Sequence, residues 1–265
     1  MTAPRLHVLT AKGCDQAVVL RRGPKDWVAS LIWDRATGTV ELGQWLHARL
    51  YEHRADLSPD GRHMIYFAAR FDERTHGWTA ISRAPWLTAL TLLPQEGTWY
   101  GGGAFTPEGR VFFNGARPPD NLPDGLQPAE PTAYPHGTDG FHMGGLYPMM
   151  MQARGWRQTG GEGYETVLEK PAGQGWTLEL GVALRRRNRA LISNRYALRS
   201  AKGATLDQPD WEWAEPWGEG LQVAARGALW QVPLTQAGPG RPSPIQDFND
   251  MEIELREAPY EGVGA

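Results

Sequence analysis

Apolar residues fall along this chain in short runs broken by glycine, proline, asparagine and aspartate. Few segments carry the three-to-four spacing of an amphipathic helix. Short apolar runs bounded by turn residues read as strands. Residues 6–9 and 16–20 predict a first hairpin turned at Lys12-Gly13. Residues 28–33 and 39–42 predict a second, turned through 34–38, and 78–83 with 87–93 another, with Ala84-Pro85 between them. Later in the chain, 146–153 reads as a strand and 166–169 pairs with 176–180. Residues 182–184 and 190–193 flank a basic turn, and 196–199 extends that sheet. Residues 221–225 and 228–232 form a tight hairpin at Arg226-Gly227. After a Pro/Gly linker, 236–244, the segment 251–256 alternates strictly. Met251, Ile253 and Leu255 face one side, and Glu252, Glu254 and Arg256 the other, the pattern of a half-exposed strand. Joined to the N-terminal strands, it would close a ring and leave no bare sheet edge.

Two of the hairpins are copies of one another. Ser58-Pro59-Asp60-Gly61-Arg62 leads into Met64-Ile65-Tyr66-Phe67, and 48 residues on Thr106-Pro107-Glu108-Gly109-Arg110 leads into Val111-Phe112-Phe113. Proline presets φ for the first turn position and glycine supplies the position with φ > 0, so Gly61 and Gly109 should hold equivalent left-handed positions. A unit recurring at this length points to an array or a propeller. The Ser58–Arg62 turn with the strand after it resembles the repeat of TolB-type β-propellers. Leu31-Ile32-Trp33-Asp34 followed by Thr37-Gly38-Thr39-Val40 resembles the inner hairpin of a WD-repeat blade. The resemblance covers about half the chain. It implies an all-β fold, a single β-propeller domain over 1–265; the repeat spacing gives five blades, with four or six also open because an insertion over 115–145 blurs the count. Propellers commonly bind ligands at one mouth of the ring, but the architecture serves enzymes, binders and scaffolds alike.

The rhythm breaks between 115 and 145, where Pro118, Pro119, Pro123, Pro128, Pro131 and Pro135 interrupt any regular element. This is a long loop insertion, and such insertions in compact domains are commonly functional or mobile. Glycine (32) and proline (21) together make a fifth of the chain, in keeping with many tight turns. Charge is near balance, 27 Lys+Arg against 30 Asp+Glu, which gives no global pull toward nucleic acid or an anionic membrane. The one cysteine, Cys14, cannot form an internal disulfide, and no apolar run is long enough for a spanning helix. A cytoplasmic protein without a membrane segment is expected.

Three groups of residues carry candidate chemistry. His136, Asp139 and His142 put two imidazoles and a carboxylate within seven residues of the insertion, a set that suits a transition metal or acid–base work. The same pattern also fits a glycine-flexed surface loop. Arg185 and Arg187, in the run 185–189, could recognise phosphate or carboxylate, or simply make a solvated turn. Trp211 and Trp213 would share one face of a strand and could stack on a ligand, although most of the twelve tryptophans should be core. Gly101-Gly102-Gly103 lacks the Lys-Ser/Thr of a phosphate loop and suits close backbone approach. Residues 247–250 read as a side-chain-capped turn, and Met149-Met150-Met151 as core filler. No nucleophile motif is present and nothing calls for a cofactor. The expected function is therefore a non-catalytic binding or scaffolding module that engages a protein or small-molecule ligand at one mouth of the ring. The alternative is a hydrolase or lyase, possibly acting on carbohydrate, that uses carboxylate or His/Asp groups at the channel mouth.

Overall fold

The structure is a computed structural model that describes residues 3–71, 75–134, 145–161, 165–183 and 192–262. The chain divides into two compact units, one of residues 8–150 and 252–265, the other of residues 1–7 and 151–251.

The strand β1 (Arg5–Thr10) leads into the first unit. It lies beside β2 (Gln16–Arg22), β3 (Trp27–Asp34) and β4 (Val40–His47) in a four-stranded meander of order β1-β2-β3-β4. The turn between β3 and β4 is held by Asp34, whose carboxylate accepts from the N–H groups of Ala36 and Thr37 at 2.9 and 3.0 Å. A second sheet contains β5 (Arg49–Leu50), β6 (Asp56–Leu57), β7 (His63–Phe71), β8 (Thr75–Arg83) and β9 (Thr91–Glu96), in the order β5-β7-β8-β9 with β6 also paired to β7. Its centre, β7, is buried from His63 to Ala69. That explains its unbroken apolar run, since a strand covered on both faces has no solvent side to mark with polar residues. Val18, Leu20, Val28, Leu50, Leu57, Met64 and Tyr66 form the core between these two sheets.

The repeated turns adopt one geometry. Gly61 donates to Ser58 O at 2.9 Å and Gly109 to Thr106 O at 3.0 Å. The hydroxyls of Ser58 and Thr106 accept from the N–H groups of Arg62 and Arg110 at 3.1 and 3.2 Å. Gly61 (φ 74) and Gly109 (φ 82) occupy the left-handed position that the sequence assigns to them. A Cβ at Gly109 would meet nothing closer than 4.0 Å, so the conformation itself demands glycine there. Gly109→Val is expected to destabilise by about 1–2 kcal/mol, whereas Arg110→Ala should stay within about 0.5 kcal/mol. Equal shifts in the urea midpoint would contradict this account of the turn.

The second copy opens a ladder of two strands only, β10 (Gly103–Phe105) and β11 (Val111–Phe113). The proline-rich stretch after it returns along β11, with Ala129 donating to Val111 O at 2.8 Å and Val111 to Gln127 O at 2.9 Å. Residues 146–153 are not a strand. Leu146–Gln152 forms the helix α1, whose Leu146, Tyr147, Met150 and Met151 are buried. Spacings of one, three and four put these residues on one helical face, and leucine and methionine favour that state.

The other unit holds two sheets. In the first, β12 (Arg157–Gly160), β13 (Glu165–Gly173), β14 (Trp176–Ala183), β15 (Ser193–Ser200) and β16 (Thr205–Gln208) follow chain order. The second has β17 (Trp211–Trp217), β18 (Gly220–Ala225), β19 (Ala228–Thr235) and β20 (Gly238–Pro239) in order, with β21 (Ser243–Asp247) also on β19. The β18–β19 turn has Arg226 at φ 54 and Gly227 at φ 76, the two positive φ values of a tight hairpin.

The described residues are thus all-β apart from α1 and two short 3-10 turns. They form four propeller-like blades, two in each unit, where the repeat spacing suggested five. The C-terminal segment corrects a second expectation. Residues 251–258 form no strand, and the strand near this end is β21, which begins inside the supposed linker. Alternation fails as evidence here because Ile253 and Leu255 are exposed, at 39% and 73%, and bury no face. The segment is held instead by side chains. Arg256 donates to Leu42 O at 2.9 Å, and Gln44 donates to Arg256 O at 3.0 Å.

Candidate functional site

In the first unit, four side chains from distant parts of the sequence meet in a cleft of about 840 Å³. His63 is the first residue of β7 and Arg83 the last of β8, and the register sets them directly opposite one another. Cross-strand partners share a sheet face, so both side chains leave the same side. The repeated turn fixes where β7 starts, because the Ser58 hydroxyl accepts from His63 N–H at 2.9 Å as well as from Arg62. Asp124 comes from the proline-rich stretch, in a 3-10 turn over Pro123–Gly125, with φ 54. A left-handed aspartate is uncommon and marks a position worth a functional hypothesis. Tyr260 comes from the C-terminal segment, where its hydroxyl donates to Thr88 O at 2.7 Å.

Asp124 is the hub. Arg83 grips it with two parallel bonds, Nε to Oδ2 and Nη2 to Oδ1, both 2.7 Å. His63 Nε2 lies 2.9 Å from Oδ2. The Arg83 hydrogen bonds first, and the His63 contact second, hold the Asp124 carboxyl well below the usual carboxylate range. An ionised carboxylate only accepts, so His63 Nε2 carries the proton of that bond. The Arg83 guanidinium also lies over the Tyr260 ring, 5.2 Å from its centre. Burial pushes the Tyr260 phenol up to about 12, which keeps it a neutral donor. Trp86, Pro85 and Ile32 add apolar lining, and Arg62 and Gln16 add polar groups.

This arrangement suits recognition better than turnover. A carboxylate clamped by a bidentate arginine is a weak base, because the guanidinium and the imidazole N–H already stabilise its ionised form. Asp124 can orient His63 but is a poor proton acceptor itself.

The residues singled out in the sequence fare unevenly. His136, Asp139, His142, Arg185 and Arg187 lie outside the described residues. Among the described residues, no cluster of three or more His, Cys, Asp or Glu could hold a metal ion, and no helix is long and apolar enough to cross a membrane. Trp211 and Trp213 do not share a face. Trp211 pairs with Ala225 and Trp213 with Ala224, so a bulge at Glu212 shifts the register and sends the two indoles to opposite sides. Trp213 is core, at 2% exposure. Gly101, Gly102 and Gly103 do serve close approach, since a Cβ on any of them would fall within 2.2 Å of a neighbouring atom. At 247–250, Asp247 caps the turn by accepting from Asn249 N–H at 2.8 Å.

His63, Arg83, Asp124 and Tyr260 were not evident in the sequence, because their pairing depends on register and on two chain segments that lack regular structure. One signal was present. The two copies of the turn diverge immediately after the arginine, where His63 stands against Val111.

No family model matches the chain, and no curated protein matches it. Among solved structures, an uncharacterized protein from Listeria monocytogenes aligns over 97% of this chain and 87% of its own, at 9% identity and a TM-score of 0.32. A protein from Bacteroides fragilis, provisionally named a 6-phosphogluconolactonase, aligns over 93% and 83%, at 13% identity and a TM-score of 0.31. An acylaminoacyl peptidase from Pyrococcus horikoshii aligns over 93% of this chain and 53% of its own, at 13% identity and a TM-score of 0.27.

Proposed function

We propose that the protein is a non-catalytic binding module that takes a small organic ligand in the cleft around His63, Arg83, Asp124 and Tyr260. The observation that carries this reading is the three-way clamp on Asp124, with contacts of 2.7, 2.7 and 2.9 Å. It fixes the polar floor in advance, and a site that is already ordered loses less entropy when a ligand arrives. The cleft, about 840 Å³, falls in the range of roughly 300–1,000 Å³ usual for small-molecule sites. The reading treats residues 1–265 as one propeller domain, with the β10–β11 ladder in the place of a fifth blade.

The second reading, a hydrolase or lyase, draws on the His63–Asp124 pair, in which a carboxylate orients an imidazole as it does in acyl-transfer enzymes. It predicts hydrolysis of p-nitrophenyl acetate that is abolished by His63→Ala. The binding reading predicts no such turnover.

Ala84 lines the cleft and is half-buried, so Ala84→Phe fills it from one wall. Saturation-transfer NMR with benzoate, phenyl phosphate and benzamide is expected to show contact with the native protein and its loss in Ala84→Phe. Signals that persist in the filled variant would place binding elsewhere and sink the proposal.

A further inference from the structure

The cleft's polar lining is unbalanced, and the imbalance specifies a ligand class. Arg62 and Arg83 bring two guanidinium groups against one carboxylate, Asp124. Asp124 has most of its acceptor capacity filled, because Oδ1 takes Arg83 Nη2 and Oδ2 takes both Arg83 Nε and His63. Neighbouring carboxylates are also engaged. Asp60 Oδ1 accepts from the Ser58 hydroxyl at 2.6 Å and from Arg62 N–H at 3.1 Å. Glu261 accepts from Ala258 N–H at 3.2 Å and from the Thr88 hydroxyl at 3.3 Å.

Donors, in contrast, are in surplus. The Arg62 side chain is exposed, and its guanidinium makes no direct hydrogen bond or ion pair among the described residues, although its charge acts on nearby Asp60. Arg83 commits Nε and Nη2 to Asp124, which leaves Nη1. The Gln16 amide lies in the same lining, with its oxygen toward Gly61. A lining with two guanidinium groups, one carboxylate and unspent N–H groups selects a ligand that brings oxygen acceptors and negative charge. The rest of the wall is flat and apolar, with the indole of Trp86 and the ring of Tyr260, which remains a neutral phenol bonded to Thr88. Such surfaces favour a planar body.

We infer that the ligand is a small organic oxyanion, a carboxylate or phosphate carried on a flat apolar body, with Arg62 as the residue that reads its charge. This rests on the binding reading given above. The geometry gives Arg62 that role for a simple reason. Arg83 is already the structural partner of Asp124, whereas the Arg62 side chain holds nothing else in place.

The test compares dissociation constants by calorimetry for benzoate, phenyl phosphate and the neutral benzamide, in the native protein, in Arg62→Gln and in Ala84→Phe. At least one of the two anions should bind ten-fold or more tightly than benzamide, with the preference falling as salt is raised. Comparison of the two anions identifies which headgroup is read. Arg62→Gln should reduce the preference to within about two-fold, through a loss of anion affinity larger than any change for benzamide, with melting temperature unchanged; two-fold is small beside the ten-fold steps that each ~1.4 kcal/mol represents. Benzamide binding that is sensitive to Ala84→Phe and as tight as either anion would overturn the oxyanion inference and leave the cleft intact. A preference that survives Arg62→Gln would overturn the role of Arg62. Failure of all three probes to bind, or binding indifferent to Ala84→Phe, would overturn the cleft reading and this inference together.

Discussion

Gly102→Ala should cost on the order of 3–5 kcal/mol, a large share of the roughly 5–15 kcal/mol that holds a domain folded. The new Cβ would lie 2.0 Å from Arg54 O and 2.9 Å from Arg54 C. Both are backbone atoms, so no side chain can swing aside. Arg54 itself is closely packed. It is 1% exposed, and its guanidinium lies 4.4 Å from the centre of the Tyr51 ring and 4.3 Å from that of Phe67. Its Nη1 donates to Tyr100 O at 2.5 Å. Burial lowers the Arg54 pKa to about 10, and the residue still carries its charge at neutral pH. Gly102 is pinned too, since its N–H donates to Thr79 Oγ1 at 2.9 Å. Gly97 provides the control. It has nearly the same φ, 73 against 76, but a Cβ there meets nothing within 4 Å. Gly97→Ala should therefore show the conformational penalty alone, about 1 kcal/mol. Urea unfolding of the two variants separates clash from backbone strain. Equal losses would mean that Arg54 and Gly102 are not packed as described.

That close approach shows what was legible in the sequence and what was not. Three successive glycines without a phosphate-loop context announced a tight contact, but nothing in the chain named Arg54 as the partner, because that contact spans 48 residues. The hairpins were legible because turn chemistry is local. Proline, an acid and glycine at Ser58–Arg62 and at Thr106–Arg110 set φ and cap the turn with a hydroxyl, whatever the rest of the fold does. Alternation was less reliable. It misread 251–256, because period two reports a face only where another element covers that face, and Leu255 is uncovered. The helix at Leu146–Gln152 was misread for the opposite reason. Apolar residues at adjacent positions within a short run do not distinguish a strand from a helix. The candidate site was the least legible feature. His63 and Arg83 meet through strand register, Asp124 through a loop and Tyr260 through a C-terminal segment held by side-chain hydrogen bonds. None of these leaves a spacing in the chain.

The other unit offers a second large effect. Glu215, at 7% exposure on β17, forms an ion pair with Lys170 of β13 and accepts from the Trp156 indole N–H at 3.1 Å. Lys170 also donates to Arg154 O at 2.8 Å. Replacement of Glu215 with leucine strands a largely buried ammonium and an indole donor together, and loss of one partner from such a pair typically costs about 3–5 kcal/mol. Lys170→Met should be costly for the mirror-image reason, since it leaves a buried carboxylate with only the indole. The double variant is the informative one. With both charges gone, neither desolvation penalty remains, so its loss should fall short of the summed single losses by about 2 kcal/mol or more. Trp156 stays in place in all three variants, and its fluorescence reports whether the local packing survives. Single losses below about 1 kcal/mol that simply add in the double variant would mean that solvent screens the pair and that β13 and β17 are held together by packing alone.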